Sequence, residues 1–333
     1  MIREKVRFLG CGFNKAKYAG QMKYCIEHGL DFGIYKLGPR RIRKMIQRKF
    51  GIELEIEGKE LLTMEVKQVK LIYFSATGTT QKVLESIAEG IAAKDVEHIN
   101  LTLSDSVTRT DLASSDGLVI IGAPVYGGRL PVDAINRFKQ LKASKNLAVL
   151  VVLYGNREYE DALLELKNLA IELDLCPIAG GAFIGEHSFS SKDTPIASGR
   201  PDRADIQKAM AFGESIKEKL TGLQSPEDAT DLVVPGSFPY EAAGARKMTV
   251  SPVTLADKCT VCGTCAGVCP TSAITVGENV ATEIEACIRC CACIKSCPED
   301  ARIFEDDMMK TITGWLYENC AVRKEPQLFG VEV

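Results

Sequence analysis

The sequence predicts an α/β protein, a parallel β-sheet covered by helices, joined to a small cysteine-dense α+β unit. Three observations carry this. Short runs that are apolar on both faces alternate with helix-period segments from Val69 to Leu220, the pattern of strands buried under crossover helices. The alternation stops at "TGLQSPEDATDLVVPGSFPYEAAGARK", residues 221–247, a stretch of chain breakers that reads as a linker wrapping the first domain. Beyond it, cysteines fall in two spaced runs.

Taken in order, strands are expected at 69–74, 96–101 (the weaker "VEHINL"), 117–123, 147–154 and 178–184. Between them, Val83, Leu84, Ile87, Ala88 and Ile91 share one helical face. So do Ala162, Leu163, Leu166, Leu169 and Leu173, and so do Ile206, Ala209, Met210, Ile216 and Leu220. A shorter helix is expected to start at Pro131, a residue favoured at the first helical position. The resulting division is 64–221 for the α/β domain, 222–249 for the linker, 250–305 for the cysteine unit and 306–333 for a helical tail.

With 333 residues, 46% hydrophobic and 26% charged, the chain has the bulk of roughly two ordinary globular domains. A net charge of −3 argues against general nucleic-acid binding, although the charge is uneven. Residues 1–63 hold 14 Lys and Arg against 7 Asp and Glu, and the remainder 27 against 37. "MIREKVRFLGCGFNK" has no apolar core of a signal peptide, and "LAVLVVLY" is far shorter than the roughly 20 residues of a membrane span. A cytoplasmic protein without a membrane span is expected. Thirteen cysteines in such a chain point to metal or redox chemistry before disulfides.

The basic segment 1–63 has two open readings. One is a docking element for an acidic partner. The other is an over-long reading frame whose natural start is Met64. Its "GCGFNK" places Lys15 where a dinucleotide site needs a third glycine.

"CTVCGTCAGVCP" and "CIRCCACIKSCP" are the strongest signal. Cys259, Cys262, Cys265 and Cys269 recur 28 residues later as Cys287, Cys290, Cys293 and Cys297, and Ala273 recurs as Ala301. The spacing C-x2-C-x2-C-x3-C-P is the two-cluster bacterial ferredoxin run, in which the fourth cysteine serves the other cluster. One [4Fe–4S] cluster is therefore expected on Cys259, Cys262, Cys265 and Cys297, the other on Cys287, Cys290, Cys293 and Cys269. Paired zinc sites, the competing reading, split their ligands into two short pairs separated by a long loop, which this triplet-plus-Cys-Pro pattern does not do. Cys291, between two ligands, reads as a small buried neighbour, and Cys11, Cys25, Cys176 and Cys320 as packing residues. No cation is assigned to the clusters' surroundings. The segment resembles the bacterial-type two-cluster ferredoxins over about 55 residues, with every ligand position matched.

The stretch "YFSATGTTQKV", residues 73–83, is a glycine-and-hydroxyl turn from strand to helix, where a phosphate is usually held. It has neither the lysine of a Walker loop nor the three glycines of a Rossmann fingerprint. "SATGTT" resembles the T-x-T-G-x-T phosphate loop of flavodoxins, with Ser75 at the first threonine. That resemblance implies a doubly wound five-stranded sheet of order 2-1-3-4-5, with FMN at the switch between strands one and three. It assigns the phosphate monoester to Ser75, Thr77, Gly78, Thr79 and Thr80. The flavin ring falls to Pro124, Val125, Tyr126, Gly127 and Gly128 after the third strand and to Tyr154, Gly155 and Asn156 after the fourth. Tyr126 and Tyr154 are the expected ring partners, and the Gly127–Gly128 pair is expected to let backbone approach the ring. His187, Arg129 and Arg157 read as structural or surface residues.

From about 69 to 305 the chain resembles the flavodoxin–ferredoxin fusion proteins of anaerobic microbes, with "GNREYEDALLEL", "GEHSFS", "GRPDRADI" and "PGSFPY" as shared phrases. The resemblance implies an electron-transfer protein carrying FMN and two [4Fe–4S] clusters, working with a redox protein such as a ferredoxin-like donor or an acceptor enzyme. The alternative is an FMN-dependent reductase or oxidase acting directly on a quinone, porphyrinogen or unsaturated compound. No acid–base dyad or substrate pocket is legible, so no catalytic residue is assigned.

Overall fold

The computed structural model describes residues 68–104, 112, 117–223, 231–242 and 249–332. The N-terminal segment 1–63, and both readings of it, lie outside the described residues. So do Cys11 and Cys25.

The first half alternates strand and helix: β1 Gln68–Tyr73, α1 Thr79–Ile91, β2 Asp95–Asn100, β3 Gly117–Pro124, α2 Val132–Phe138, β4 Asn146–Tyr154, α3 Ala162–Glu172, β5 Leu175–Ile184 and α4 Arg203–Leu220. β1 to β5 pair in parallel, in the order 2-1-3-4-5. Period-two side chains divide β1, β3, β4 and β5 between two cores, while β2, at the edge, is largely exposed. Ile72, Phe74, Val119, Ile121, Leu150 and Val152 pack on one face with Ala162, Leu163 and Leu166 of α3. Leu71, Tyr73, Leu118, Ile120, Val149 and Val151 pack on the other with α1 and α4. Both faces are therefore covered, which is why the strands read as unbroken apolar runs.

Two close approaches set the helices. A Cβ on Gly90 of α1 would lie 2.0 Å from the Met210 carbonyl oxygen of α4, and one on Gly213 would lie 2.2 Å from the Ile87 carbonyl oxygen. Only glycine lets these two backbones touch. Pro131 turns out to cap α2 rather than begin it: its ψ of 135° is extended, and the helix starts one residue later.

After the described linker residues come β6 Val253–Thr254, α5 Thr264–Gly267, β7 Ile274–Val276, β8 Val280–Thr282, α6 Ala292–Lys295 and β9 Arg302–Ile303. β6 pairs with β9 and β7 with β8, both antiparallel. The 28-residue repeat extends to the backbone. Val261 and Arg289, Gly263 and Cys291, and Ser272 and Asp300 all hold positive φ at matching positions.

The tail is helical only in part. α7 (Asp307–Asn319), whose N-terminus is capped by Asp306, is followed by β10 (Gln327–Phe329). β10 pairs antiparallel with β5 and adds a sixth strand to the sheet. It protects the β5 edge from open pairing. Nothing in the local residue pattern of "EPQLFG" marks this strand, because its partner lies about 150 residues away.

Four sequence phrases named above serve these joins. In "GNREYEDALLEL", Asn156 donates to the carbonyls of Cys320 (2.6 Å) and Val322 (2.8 Å) and accepts from the Lys324 N–H. Tyr159 donates from its hydroxyl to Gln327 Oε1 at 2.6 Å. In "GRPDRADI", the buried Arg200–Asp205 pair also reaches the Lys324 carbonyl. The linker phrase "PGSFPY" presents Ser237 N–H to Asp161, which takes Ala242 N–H as well. Arg129 forms a two-pronged pair with Glu165 and lies 4.0 Å over the Tyr240 ring. In "GEHSFS", Glu186 pairs with Lys295 at 2.6 Å, and Phe189 meets Phe304 edge-on.

Candidate functional site

The phosphate-type loop lies between β1 and α1. Gly78 caps α1 at φ 80°, with no side-chain cap and no acid in the first turn. Helix N-termini leave backbone N–H groups unsatisfied, and here they meet exposed Thr77 and Gly78. A Cβ on Gly78 would meet nothing within 4 Å, so its glycine serves the left-handed backbone and an open cradle. The loop is braced from behind. Ser75 N–H donates to Thr102 Oγ1 (2.9 Å), Ser75 Oγ accepts from Gln81 N–H (3.2 Å), and Thr102 N–H donates to Asn100 Oδ1. Such a cradle of amides and hydroxyls fits a monoester phosphate. Thr80 is buried, and its methyl lies against Gly122.

The second group sits where β3 and β4 end. Tyr126 and Arg129 close a turn on each other's backbone, with Gly127 and Gly128 both at positive φ, the requirement of a primed two-residue turn. The glycine pair is thus needed for the turn itself. Space at Gly128 is taken by the Glu160 carboxylate, and a Cβ on Gly155 would run into the His187 ring at 2.3 Å. Pro124 and Val125 carry the chain into this turn, with Val125 N–H donating to the Leu153 carbonyl at 2.7 Å.

Two of the expected ring residues, Tyr154 and Asn156, also have partners of their own within the chain. Tyr154 is 3% exposed, packs on Tyr159 at 5.4 Å, and belongs to the core. β4 is buried on both faces, so its last residue turns inward. Asn156 spends its amide on the tail, as described, and sits in the left-handed region at φ 65°. Tyr126 is the tyrosine that remains at the loop. Burial holds its hydroxyl well above the ordinary phenol range, with Cys290, Cys291 and Asp133 adding to the shift. His187 is structural: its Nδ1 accepts from the Phe189 N–H, and burial brings it down to about 4, aided by Arg157 and Lys295.

The eight cysteines gather as two sets, each around its own cavity. Cys259, Cys262, Cys265 and Cys297 line one. Cys269, Cys287, Cys290 and Cys293 line another, with Cys291 beside them. In both, the fourth cysteine crosses from the other run. The fourth position is built identically in each half: Ala273 N–H donates to Cys269 Sγ and Ala301 N–H to Cys297 Sγ, both at 3.3 Å. Burial pushes the Cys290 thiol up to about 12 and raises Cys287, Cys293 and Cys265. The Thr264 hydroxyl lowers Cys262. Burial thus disfavours the thiolate, the form in which a cysteine ligates metal.

One buried cation corrects the sequence expectation. Arg302 is 2% exposed and lines the first cavity. It donates to Thr254 Oγ1 and Thr282 Oγ1 at 2.6 Å and approaches Cys293 Sγ of the second set at 3.9 Å. Its Nε has no protein partner. A buried guanidinium with an idle N–H, lining the first cavity and close to Cys293 Sγ of the second set, fits an anionic cluster in each. The repeat hid it, because the matching residue is Ile274.

The cysteine unit is anchored to the sheet beside the phosphate-type loop. Arg137 of α2 is buried and donates to the carbonyls of Leu101 (3.0 Å), Thr102 and Pro270 (2.6 Å). Ser104 and Ser272 meet through their hydroxyls at 3.0 Å. Ile288 packs against the sheet's core. Nothing in the sequence marks Arg137, Thr102 or Ser104, since their partners are set only by the domain docking.

Among the described residues no helix is long and apolar enough to cross a membrane. Residues 70–186 match the model of the flavodoxin domain, and residues 251–320 match that of the 4Fe–4S dicluster domain. This order fits a flavodoxin–ferredoxin fusion. No curated protein matches the chain. Among solved structures, a flavodoxin from the domain Archaea is 15% identical, with 46% of this chain and 98% of that one covered at a TM-score of 0.31. A flavodoxin of Streptococcus pneumoniae TIGR4 is 15% identical, covering 46% and 99% at 0.33. A Fusobacterium nucleatum flavodoxin bound to flavin mononucleotide is 14% identical, covering 46% and 99% at 0.32.

Proposed function

We propose that this chain, in which a flavodoxin domain precedes a 4Fe–4S dicluster domain, passes single electrons between FMN and two [4Fe–4S] clusters and on to a redox protein. Its broader character, an electron-transfer flavin and iron–sulfur protein, follows from the two matched domains. FMN can exchange one or two electrons and each cluster one, which is the chemistry the cofactors supply.

The chain's own residues have these parts. Ser75, Thr77, Gly78, Thr79 and Thr80 hold the phosphate by neutral donors and backbone amides. The 124–128 turn, with Tyr126, borders the flavin ring. Cys259, Cys262, Cys265 and Cys297 hold one cluster, and Cys269, Cys287, Cys290 and Cys293 the other. The partner is a ferredoxin-like donor or an acceptor enzyme.

The observation that carries the reading is the crossing of the fourth cysteine into the opposite cavity, twice, in a unit anchored at the strand ends where a doubly wound sheet takes its ligand. The test is anaerobic purification with iron, sulfide and flavin counted per chain, followed by rapid mixing. Two clusters and one FMN, bleached by a reduced ferredoxin and not by NADH, are expected. Zinc in place of iron, a chain without flavin, or direct turnover with NADH would overturn it.

A further inference from the structure

The chain after α7 grips one loop along its length. The loop is the turn that follows β4, residues 155–160. Among the described residues, 155–158 make no backbone–backbone hydrogen bond, so this stretch takes its shape from what holds it. The tail holds it. Asn156 bonds with residues 320, 322 and 324. The Lys324 ammonium donates to the Arg157 carbonyl and, at 3.0 Å, to the Glu158 carboxylate. Tyr159 reaches Gln327. Four consecutive residues, 156–159, are each bonded to the tail.

Lys324 is the centre of this grip. Its N–H meets Asn156, its carbonyl takes Arg200 Nη1 at 2.8 Å, and its ammonium lies 5.9 Å from the centre of the Tyr154 ring. Its chain neighbours face the other way. Arg323 pairs with Asp202 at 2.6 Å, and Glu325 pairs with Lys208 of α4. With both exposed neighbours pinned there, the half-buried Lys324 is turned towards the loop.

The loop in turn supports the Tyr126 turn. Arg157 pairs with both oxygens of Glu160 at 2.9 Å, and the Glu160 carboxylate fills the space beside Gly128. Asp161 N–H donates to the Gly128 carbonyl at 3.1 Å. Tail, loop and turn are therefore one continuous support, running from Lys324 to the ends of β3 and β4.

We infer that Lys324 is a positioning residue for the flavin. By clamping the loop after β4, and through it the turn after β3, it sets in advance the shape that the isoalloxazine ring meets. Binding then does not have to order these loops, and the saving appears as affinity. This inference rests on the proposed reading of FMN at these strand ends.

The test dilutes the anaerobically purified full-length holoprotein and follows released FMN by its fluorescence. Lys324→Met should raise the FMN dissociation constant about tenfold, with iron and sulfide per chain unchanged. It should also shift the flavin's visible bands and midpoint potentials while the cluster EPR signals stay as they are. Lys324→Arg keeps a cationic donor and should recover most of the affinity. Lys208→Met is the control: it cuts the tail's bridge at Glu325 but spares every bond to the loop, and it should release FMN as the wild type does.

An unchanged dissociation constant and flavin spectrum with Lys324→Met overturn the inference. So does equal release from Lys208→Met, which would mark the tail as a matter of general stability. Should Lys324→Met fail to fold, Glu158→Gln removes the same ion pair from the loop side and should raise the constant about threefold; no rise there overturns the inference as well. Wild-type protein that carries no FMN defeats the underlying reading instead, so the two failures are told apart by the flavin count.

Discussion

The Arg137 guanidinium, on the helix after β3, donates a 2.6 Å hydrogen bond to the carbonyl of Pro270, the residue that follows Cys269. The same side chain holds the carbonyls of Leu101 and Thr102, and Thr102 braces Ser75 of the phosphate-type loop. One cation therefore ties the nucleotide side of the molecule to the cysteine side.

Replacing Arg137 by Met removes the donors and leaves buried carbonyls unpaired. A loss of about 2–4 kcal/mol is expected from denaturant unfolding, since each orphaned buried group costs about 1–3 kcal/mol. Unfolding should also separate into two transitions, one per domain, and a single unshifted transition would contradict the role described.

Arg302 predicts a direction of redox change. A cation between two anionic centres favours their reduced forms, so Arg302→Met should lower the midpoint potentials followed by EPR titration, with iron content unchanged. Arg302→Lys should recover part of the shift. Potentials that rise or stay fixed would show the charge to be irrelevant.

Cys291 caps α6 and lines the second cavity beside Cys290 and Cys293, but it lies outside the C-x2-C-x2-C-x3-C spacing. Cys291→Ala is expected to leave iron and sulfide at the wild-type level, whereas Cys290→Ala should lose about half. Replacement by Gly should be tolerated best, because left-handed φ costs a residue with a side chain roughly 1 kcal/mol. Elemental analysis decides between these outcomes.

His187 gives a pH signature. Its folded value, held down to about 4 by burial and by Arg157 and Lys295, lies below the ordinary 6.5. The denatured chain therefore takes the proton first as pH falls. The stability present above about 6.5 is lost progressively down to 4, by an amount of order 3 kcal/mol. His187→Gln should flatten unfolding free energy against pH over that window. An unchanged slope would place the proton elsewhere.

Asn156 tests the tail. Asn156→Ala removes three hydrogen bonds to residues 320–324 and puts Ala into a left-handed backbone. Roughly 2–3 kcal/mol of destabilisation is expected, together with earlier proteolysis near Val322. Asn156→Gly should cost less than Asn156→Ala, and the reverse order would argue against the backbone contribution.

Much of this protein was legible from residue order alone. Strand and helix positions follow from local periodicity, because Ile72 and Leu71 declare two buried faces by simple alternation. The cysteine sets follow from spacing, because a cluster needs three thiolates on one tight turn and a fourth from elsewhere. The loop at Ser75 to Thr80 is legible as a strand-to-helix turn from its glycine and hydroxyls. What the chain order could not decide was everything that depends on distant partners. Tyr154 ends the fourth strand and Asn156 lies just past it, and their packing on Tyr159 and bonding to the C-terminal turn come from remote segments. Arg302 is invisible beside Ile274 in the repeat, β10 exists only because β5 offers an edge, and the two alike cysteine runs gain different neighbours only once Pro270 and Ile288 pack against the sheet. Local pattern encodes which faces are buried and which atoms can ligate; burial by a remote segment is a property of the packed chain, and it decided the rest.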